Sequence, residues 1–427
     1  MDLTVEGKVY NNGVFQDCCI GIKDGKIVAI KKILEGDCHI DFKNKLIIPS
    51  GIDIHVHFRD PGQTHKEDFS TGSKASAFGG ISCVFDMPNT IPQTTTLQSL
   101  SDKISLAEKK SFIDFGVYAG ISNNNIDNIE NLSKRCNGFK IYLGSTTNSL
   151  KFDKKNLRMV LKSISQTEKP VLFHAEDYEN LIKNSIKESS LIDHLKSRPS
   201  ICEETSIRDI IIESKGLGLK AHICHVSSIE GLELLKKRPN NITCGVTPHH
   251  CLLSIEKKMG SSTFYKVNPP IRSSFDKESL FIGAKNGIID VIESDHAPHT
   301  KEEKDVDFNL APSGIPGVET TFPIMLYLAK KEVISFQRLI SLLCERPAEL
   351  LSIPKGRLDI GNDADFIVVD LKEECKIKSD KLHSKCGWTP FEDWNAIFPT
   401  HVFIRGEKLI EDYEIQVSQG FGSFVGE

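Results

Sequence analysis

Alternating apolar and polar residues dominate both ends of the chain. This two-residue period is typical of strands that bury one face. The strand-like stretches are residues 3–10, 18–32, 39–48, 363–371 and 400–412. Asp24-Gly25 lies between two alternating stretches and is typical of a tight β-hairpin turn. The two ends therefore predict one small β-sandwich domain formed by residues 1–49 and 354–427.

The middle of the chain has a different pattern, in which short apolar runs alternate with segments of helical periodicity. Amphipathic stretches such as residues 206–217 separate the runs. The eight runs are residues 51–56, 81–87, 112–118, 139–144, 170–176, 220–226, 242–248 and 287–295. Eight strand–helix units predict an α/β fold, a (β/α)8 TIM barrel over residues 50–353. A doubly wound sheet is the competing interpretation, but no Gly-x-Gly-x-x-Gly follows the first run.

Composition and charge narrow the class of protein. The net charge is −5 and lysine and arginine are spread along the chain, so no basic stripe indicates nucleic-acid binding. No stretch approaches the roughly 18 uninterrupted apolar residues of a membrane helix. The twelve cysteines are scattered without a Cys-x-x-Cys pair, and we expect them to be reduced. We expect a cytoplasmic protein.

Polar residues interrupt or close five of the apolar runs. His55 and His57 end the first run, and alternation along a strand points both imidazoles to the same side. The ends of barrel strands meet at one mouth, where barrels carry their chemistry. The side chains expected there are His55, His57, Lys140, His174, His225 and Asp295. Nitrogen and oxygen ligands without thiolate suit Zn²⁺, with Mn²⁺ or Co²⁺ as alternatives.

Lys140 is unusual in such a set, because an ammonium group would be repelled by divalent cations. Burial favours the neutral amine, which can react with carbon dioxide to give a carbamate that bridges two ions. The alternative is a lysine that points outward and pairs with an acid.

A second group of residues suggests a pocket for an anion. Arg59 follows the first run, Asn89 follows the second, and His299 comes four residues after Asp295. A guanidinium fork suits a carboxylate. We expect packing or supporting roles for His65, His222, His249 and His250. We place four further histidines in the β domain or on exposed helical stretches: His39, His194, His383 and His401.

These motifs together resemble the dihydroorotases of the amidohydrolase superfamily, in particular bacterial members of the carboxylated-lysine type. The similarity runs from about residue 45 to residue 410. Several of its stretches are specific in combination: HFRDPG is shared with allantoinases and hydantoinase-like relatives, and MPNT together with DHAPH favours dihydroorotase. Further matching stretches are FKIYLG, FHAED, CHVSS, TPHH, NPPIR and APSGIPGVET.

The resemblance implies a role for each matching residue. His55, His57 and Asp295 match the ligands of a first zinc ion, and His174 and His225 those of a second. The two Zn²⁺ would be bridged by carboxylated Lys140 and a hydroxide. The substrate-binding residues implied are Arg59, Asn89, Asn268, His299, Ser313 and Gly314. Ser313 stands where some relatives have phenylalanine.

The reaction implied is the reversible, zinc-dependent cyclisation of N-carbamoyl-L-aspartate to dihydroorotate in pyrimidine biosynthesis. Asp295 would act as the general base and then as the general acid. The polar segment 301–312 is a candidate lid. A homodimer and an association with aspartate transcarbamoylase are further expectations. The alternatives are an allantoinase or dihydropyrimidinase, or a non-catalytic partner of the transcarbamoylase.

Overall fold

The order of strands and helices follows the hydrophobic pattern, with strands at both ends and alternation between them. The computed structural model describes residues 1–144, 150–256 and 262–426. The strands are β1 (Leu3–Asn11), β2 (Val14–Lys23), β3 (Lys26–Lys31), β4 (Cys38–Pro49), β5 (Gly51–Val56), β6 (Ile81–Asp86), β7 (Asp114–Ile121), β8 (Gly138–Tyr142), β9 (Val171–His174), β10 (Ala221–Ile223), β11 (Ile242–Val246), β12 (Val291–Ile292), β13 (Phe366–Val369), β14 (Cys375–Lys376), β15 (Asn395–Ala396), β16 (His401–Ile404), β17 (Glu407–Glu411) and β18 (Glu414–Ile415).

The α-helices fall mainly between the strands of the central region. They are α1 (Phe69–Phe78), α2 (Leu97–Lys110), α3 (Ile129–Ser133), α4 (Leu157–Ser165), α5 (Tyr178–Lys183), α6 (Leu191–Ser197), α7 (Ser200–Glu213), α8 (Ile229–Leu235), α9 (Pro248–Leu252), α10 (Ser274–Lys285), α11 (Lys301–Lys304), α12 (Val318–Lys330), α13 (Phe336–Ile340) and α14 (Arg346–Leu351). Within the described ranges, every helix is too short or too polar to cross a membrane.

The two ends of the chain form one sheet, in the strand order β18-β17-β16-β13-β4-β1-β2-β3. The predicted turn between β2 and β3 is present, and Asp24 and Gly25 have φ angles of 50° and 75°. Arg405 and Gly406, at 51° and 76°, make the corresponding turn between β16 and β17. Left-handed backbone at both central positions matches the twist of a hairpin. The prediction of a sheet built from both termini is confirmed, and its description as a β-sandwich domain stays a prediction.

The eight apolar runs of the middle region form the eight parallel strands β5 to β12, each paired with the next. The barrel closes where Val56 bridges to His296, and the His57 N–H donates to the His296 carbonyl at 2.8 Å. The (β/α)8 prediction is therefore confirmed. Because the strands are parallel, their carboxyl ends share one mouth, which places the strand-end residues together.

The segment between β14 and β16 packs against the barrel mouth. The Trp388 indole N–H donates to the His299 carbonyl at 2.8 Å. Trp388 and Phe391 also share an apolar cluster with Val267 and Ile315, which lie on barrel loops. The domain division at residues 353 and 354 stays a prediction, and this segment links the terminal sheet to the loops of the mouth.

A buried ion cluster joins the opposite end of the barrel to the terminal sheet. The Lys355 ammonium lies 2.7 Å from Asp114, 2.8 Å from Asp363 and 2.7 Å from Asp365. Arg405 pairs with Asp114 as well. The three carboxylates could be mistaken for a metal site, but Lys355 occupies the position of the cation.

We expect Lys355→Met to lower the free energy of unfolding by about 3–5 kcal/mol, because it leaves buried carboxylates without their cation. Denaturant unfolding followed by circular dichroism measures the change. Lys8→Met, which removes an exposed pair with Asp17, is the control and should leave the midpoint unchanged. An equal midpoint for both variants would contradict a structural role for Lys355.

Candidate metal centre and active site

A cavity of about 260 Å³ opens at the mouth where the barrel strands end. Eleven of the twelve residues predicted for the site line it, and they come from six strand ends or the loops beyond them. They are His55, His57, Arg59, Asn89, His174, His225, Asn268, Asp295, His299, Ser313 and Gly314. Lys140, the twelfth, is fully buried beneath the others. The structure therefore brings the predicted residues to one place.

Nitrogen and oxygen atoms converge on the floor of this cavity. The Asp295 Oδ1 lies 3.3 Å from His55 Nε2 and 3.2 Å from His57 Nε2. Beside them, His174 Nδ1 lies 3.2 Å from His225 Nε2. Donor atoms of His55, His225 and Asp295 all lie within 4.8 Å of one another, so the two groups adjoin. This spacing is compatible with metal ligands that share a small cluster of ions.

Three of the four imidazoles have one ring nitrogen held by an acceptor. His57 Nδ1 is 2.7 Å from Asn89 Oδ1, and His55 Nδ1 is 3.3 Å from Glu293 Oε2. His174 Nε2 is 2.7 Å from Glu176 Oε2. An acceptor at one ring nitrogen places the proton there and leaves the lone pair of the other nitrogen free for a metal. These contacts orient three imidazoles as ligands.

Burial lowers the pKa of His55, His57 and His225 below the usual value, so these rings are neutral at pH 7. Burial acts to raise the pKa of Asp295, but His55 and His57 outweigh it and hold that pKa below its usual range. Metal binding needs neutral imidazole and ionised carboxylate. His225 Nδ1 is also buried, and in the part of the chain that the structure describes it has no hydrogen-bond partner. The donor set in its present state fits a divalent cation.

Lys140 lies in the middle of β8 with no part of its side chain exposed. Its ammonium contacts the Cys224 thiol at 3.1 Å and lies 5.3 Å from the centre of the Tyr142 ring. Within the described part of the chain it forms no ion pair with a carboxylate. The outward-pointing, acid-paired alternative is therefore wrong for Lys140. A buried ammonium without an anion is costly, which makes this residue a candidate for modification.

Three of the site residues have left-handed backbone. The φ angles are 61° for Arg59, 39° for His225 and 46° for Asp295. Such conformations are uncommon outside glycine and cost free energy, and they cluster at functional sites. The turns direct these side chains into the cavity from the ends of their strands.

Arg59 and His299 form one wall of the cavity. The Arg59 Nε donates to the Pro298 carbonyl at 3.2 Å, and Nη2 lies 3.3 Å from His299 Nε2. Arg59 is almost fully buried, yet among the described residues no carboxylate lies within ion-pair distance of its guanidinium. A buried cation without an anionic partner indicates that a ligand supplies the anion.

The loop that carries Ser313 and Gly314 closes the cavity from the side. Gly314 has a φ of 152°, and a Cβ there would lie 2.3 Å from the Ala297 carbonyl, so the position requires glycine. The Lys304 ammonium donates to the carbonyls of Lys266, Pro312 and Gly314 at 3.2, 2.9 and 3.1 Å. Movement of the segment 301–312 stays a prediction, and Lys304 is its buried anchor.

The remaining histidines lie outside the cavity lining, and their packing or supporting roles stay a prediction. His250 is held by Thr247 Oγ1 at 2.8 Å and by the Pro269 carbonyl at 2.9 Å, which makes it a packing residue. The Nε2 atom of His222 lies 3.6 Å from Glu293 Oε2. The prediction of an exposed His194 is wrong. Its ring is buried because α6 turns it inward, and its Nε2 donates to the Val267 carbonyl at 3.0 Å.

Sequence reasoning missed three residues that shape the site. Glu176 and Glu293 hold the outer nitrogens of His174 and His55, and both stand at the ends of apolar runs in the sequence. The Tyr142 hydroxyl is buried, lacks a hydrogen-bond partner among the described residues and lines the cavity. The signal for Tyr142 is the two-residue period of its strand, which places it on the same side as Lys140.

The chain belongs to the amidohydrolase family, whose model matches residues 46–409. Membership of this family, together with the donor atoms that converge in the cavity, identifies the chain as a metal-dependent hydrolase. The chain is 38% identical over 441 residues to the dihydroorotase of Methanosarcina mazei, covering 98% of this chain and 96% of that protein. It is 39% identical over 430 residues to the dihydroorotase of Thermoplasma volcanium, and this similarity covers 100% of this chain and 98% of that protein. These relatives are archaeal, so the expected bacterial type is not supported.

Among solved structures, the L-hydantoinase (dihydropyrimidinase) of Arthrobacter aurescens is similar over 99% of both chains, with a TM-score of 0.94 and 28% identity. The dihydropyrimidinase of Brevibacillus agri is similar over 100% of this chain and 98% of the dihydropyrimidinase chain, with a TM-score of 0.92 and 24% identity. The second similarity concerns the fold alone.

Proposed function

We propose that this amidohydrolase is a dihydroorotase. It catalyses the reversible interconversion of N-carbamoyl-L-aspartate and (S)-dihydroorotate, the ring-forming step of de novo pyrimidine (UMP) biosynthesis. The observation that carries the choice of substrate is Arg59, a buried guanidinium without a carboxylate partner among the described residues. The ring carboxylate of dihydroorotate provides that partner. The curated relatives support the same activity.

The donor set supports a pair of zinc ions. His55, His57 and Asp295 would hold the first, His174 and His225 the second, and Lys140 as a carbamate would bridge them. When bound, such ions supply Lewis acidity and lower the pKa of water. The carbamate forms when the Lys140 amine adds to carbon dioxide and releases a proton. It replaces an unpaired buried cation with an anion whose two oxygens suit two ions.

Asp295 is the residue proposed to move the proton. Its carboxylate is ionised and points into the cavity between His55 and His57. In ring opening, Asp295 accepts a proton from the water that adds to the ring carbonyl carbon. The carbon–nitrogen bond then breaks, and Asp295 returns the proton to the leaving nitrogen. In ring closure the same proton movements run in reverse and water leaves.

The other cavity residues position the ring. Arg59 and His299 would bind the carboxylate, and Asn89, which also holds His57, lies beside them. Asn268 Oδ1 is buried and lacks a hydrogen-bond partner within the described ranges, so it is available to a ring N–H. The backbone at Ser313 and Gly314 would make further ring contacts. A fixed ring over the proton acceptor lowers the entropic cost of reaction.

We expect Arg59→Met to raise the KM for dihydroorotate by about a hundredfold, because truncating one partner of a buried charge pair and leaving the other unpaired costs about 2–5 kcal/mol. Metal content should stay unchanged, since Arg59 touches none of the proposed ligand nitrogens. An ultraviolet assay with dihydroorotate, dihydrouracil and allantoin measures the effect. Arg158→Met is the control, because this exposed arginine lies on α4.

The same set of three substrates tests the alternative of another cyclic-amide hydrolase. The similarity to the Arthrobacter aurescens hydantoinase favours this alternative. The wild-type protein should turn over dihydroorotate far better than the two substrates without a carboxylate. Preference for dihydrouracil or allantoin, together with an unchanged KM in Arg59→Met, would contradict the proposal. A homodimer and an association with aspartate transcarbamoylase stay predictions.

A further inference from the structure

Four charged or polar groups compete for the two ring nitrogens of His299. On the Nδ1 side, Lys66 Nζ lies at 3.2 Å and Glu303 Oε2 at 3.4 Å. On the Nε2 side, the Ser313 carbonyl lies at 3.2 Å and Arg59 Nη2 at 3.3 Å. Each side therefore offers one donor and one acceptor. The proton can stand on either nitrogen, and the neighbours decide which.

The ring is neutral, so it carries only one proton. Burial and the cations Arg59, Lys66 and Lys304 lower the pKa of His299 to about 3, against the opposing effect of Glu303. A neutral imidazole donates from one nitrogen and accepts at the other. Two arrangements satisfy it here. Either Nδ1 accepts from Lys66 while Nε2 donates to Ser313, or Nδ1 donates to Glu303 while Nε2 accepts from Arg59.

Lys66 favours the first arrangement. It is buried, only 7% exposed, and its ammonium can only donate, so a bond to His299 requires the Nδ1 lone pair. The Lys66 contact with His299 is shorter than that of Glu303, and Lys66 also pairs with Glu303 Oε1 at 3.1 Å. This pairing draws the Glu303 carboxylate toward the lysine. The proton of His299 is then on Nε2, which faces the cavity.

We infer that Lys66 is a positioning residue that fixes His299 in its Nε2–H tautomer, so that the Nε2–H, which contacts the Ser313 carbonyl in the free protein, donates a hydrogen bond to the carboxylate of the substrate when the substrate binds. The inference rests on the proposed dihydroorotase function. It concerns Lys66, which lies behind His299 and does not line the cavity. With the opposite tautomer, the Nε2 lone pair would face the carboxylate and repel it. Lys66 thereby contributes to selection of a carboxylate-bearing ring.

The direct test is the position of the proton, measured by long-range ¹H–¹⁵N correlation spectra of histidine-labelled protein. Loss of signals in His299→Ala assigns the ring. The wild-type protein should show a protonated Nε2 and an unprotonated Nδ1. Lys66→Met should reverse the two, because Glu303 becomes the acceptor for Nδ1–H. A wild-type ring protonated at Nδ1 would overturn the inference without any reference to activity.

Kinetics provide the second test. Lys66→Met should raise the KM for dihydroorotate about tenfold with little change in kcat, since one hydrogen bond to a charged group is lost. Lys66→Arg supplies a donor and should restore most of the affinity. In His299→Ala, the further change Lys66→Met should have no effect on KM. An equal effect of Lys66→Met with and without His299 would show that Lys66 acts elsewhere.

Lys385→Met is the matched control. Lys385 donates to the Thr64 carbonyl at 2.8 Å and pairs with Asp68, close to Lys66 but away from His299. It should leave both the tautomer and KM unchanged. Failure of the proposed function can be distinguished from failure of this inference. If the proposed function is wrong, wild-type protein will not turn over dihydroorotate, whichever tautomer His299 adopts. Turnover with an unaltered tautomer in Lys66→Met would refute only the role of Lys66.

Discussion

Replacing Asp295 by asparagine should lower kcat/KM by about 10³-fold or more in both reaction directions, the range of a general acid–base residue. An amide oxygen can still lie between His55 and His57, but it accepts no proton from the attacking water. The measurement is the rate of ring opening and of ring closure, with metal content determined on the same sample. Part of the metal should be retained, because the four imidazoles remain.

Asp53→Asn is the control for this variant. Asp53 is buried nearby, and its carboxylate accepts the His55 N–H at 3.1 Å and the Ser294 N–H at 3.2 Å without lining the cavity. Burial raises the pKa of Asp53 to about 7, so a neutral amide is a close substitute. A far smaller loss is expected than for Asp295. Full activity in Asp295→Asn would refute the proposed proton transfer.

Lys140→Met should weaken metal binding by more than about a hundredfold and abolish turnover, because no carbamate can form to bridge the ions. Metal stoichiometry and intact mass, measured under conditions that retain carbon dioxide, test this directly. Wild-type protein should exceed its sequence mass by one carbon dioxide plus the metal. The variant should lack the carbon dioxide.

Lys162→Met serves as the control, since Lys162 is an exposed lysine on α4. It should keep the metal, the added mass and the activity of the wild-type protein. A wild-type protein with two bound ions and no added mass would contradict the carbamate. Loss of metal in both variants would point to a general effect of the substitutions.

The fold was predictable because its signals are local. Each barrel strand is a short apolar run, and the two-residue period of the terminal strands is visible in the sequence. The common orientation of His55 and His57 was predictable for the same reason, since alternation along β5 directs both rings to one side. The parallel order of the strands then carries the other strand-end residues to the same mouth.

His194 shows where such reasoning fails. The amphipathic pattern around α6 indicates that one face is buried, but it does not say which loop covers that face. The contact of His194 with the Val267 carbonyl joins residues 73 positions apart. Likewise, Glu176 and Glu293 were visible as strand-end acids, but only their distances to His174 and His55 identify them as holders of ligand nitrogens.

The sequence by itself determined which residues stand at the ends of the barrel strands, because strand period and element order are properties of neighbouring residues. Tertiary structure alone decided which nitrogen of each ring faces the cavity, that Arg59 and Lys140 are buried without a carboxylate partner in the described ranges, and that Lys66 reaches His299. The last contact spans 233 positions. Hydrogen bonds and burial depend on the packing of distant segments, and this packing selects the chemistry of the residues that the strands bring together.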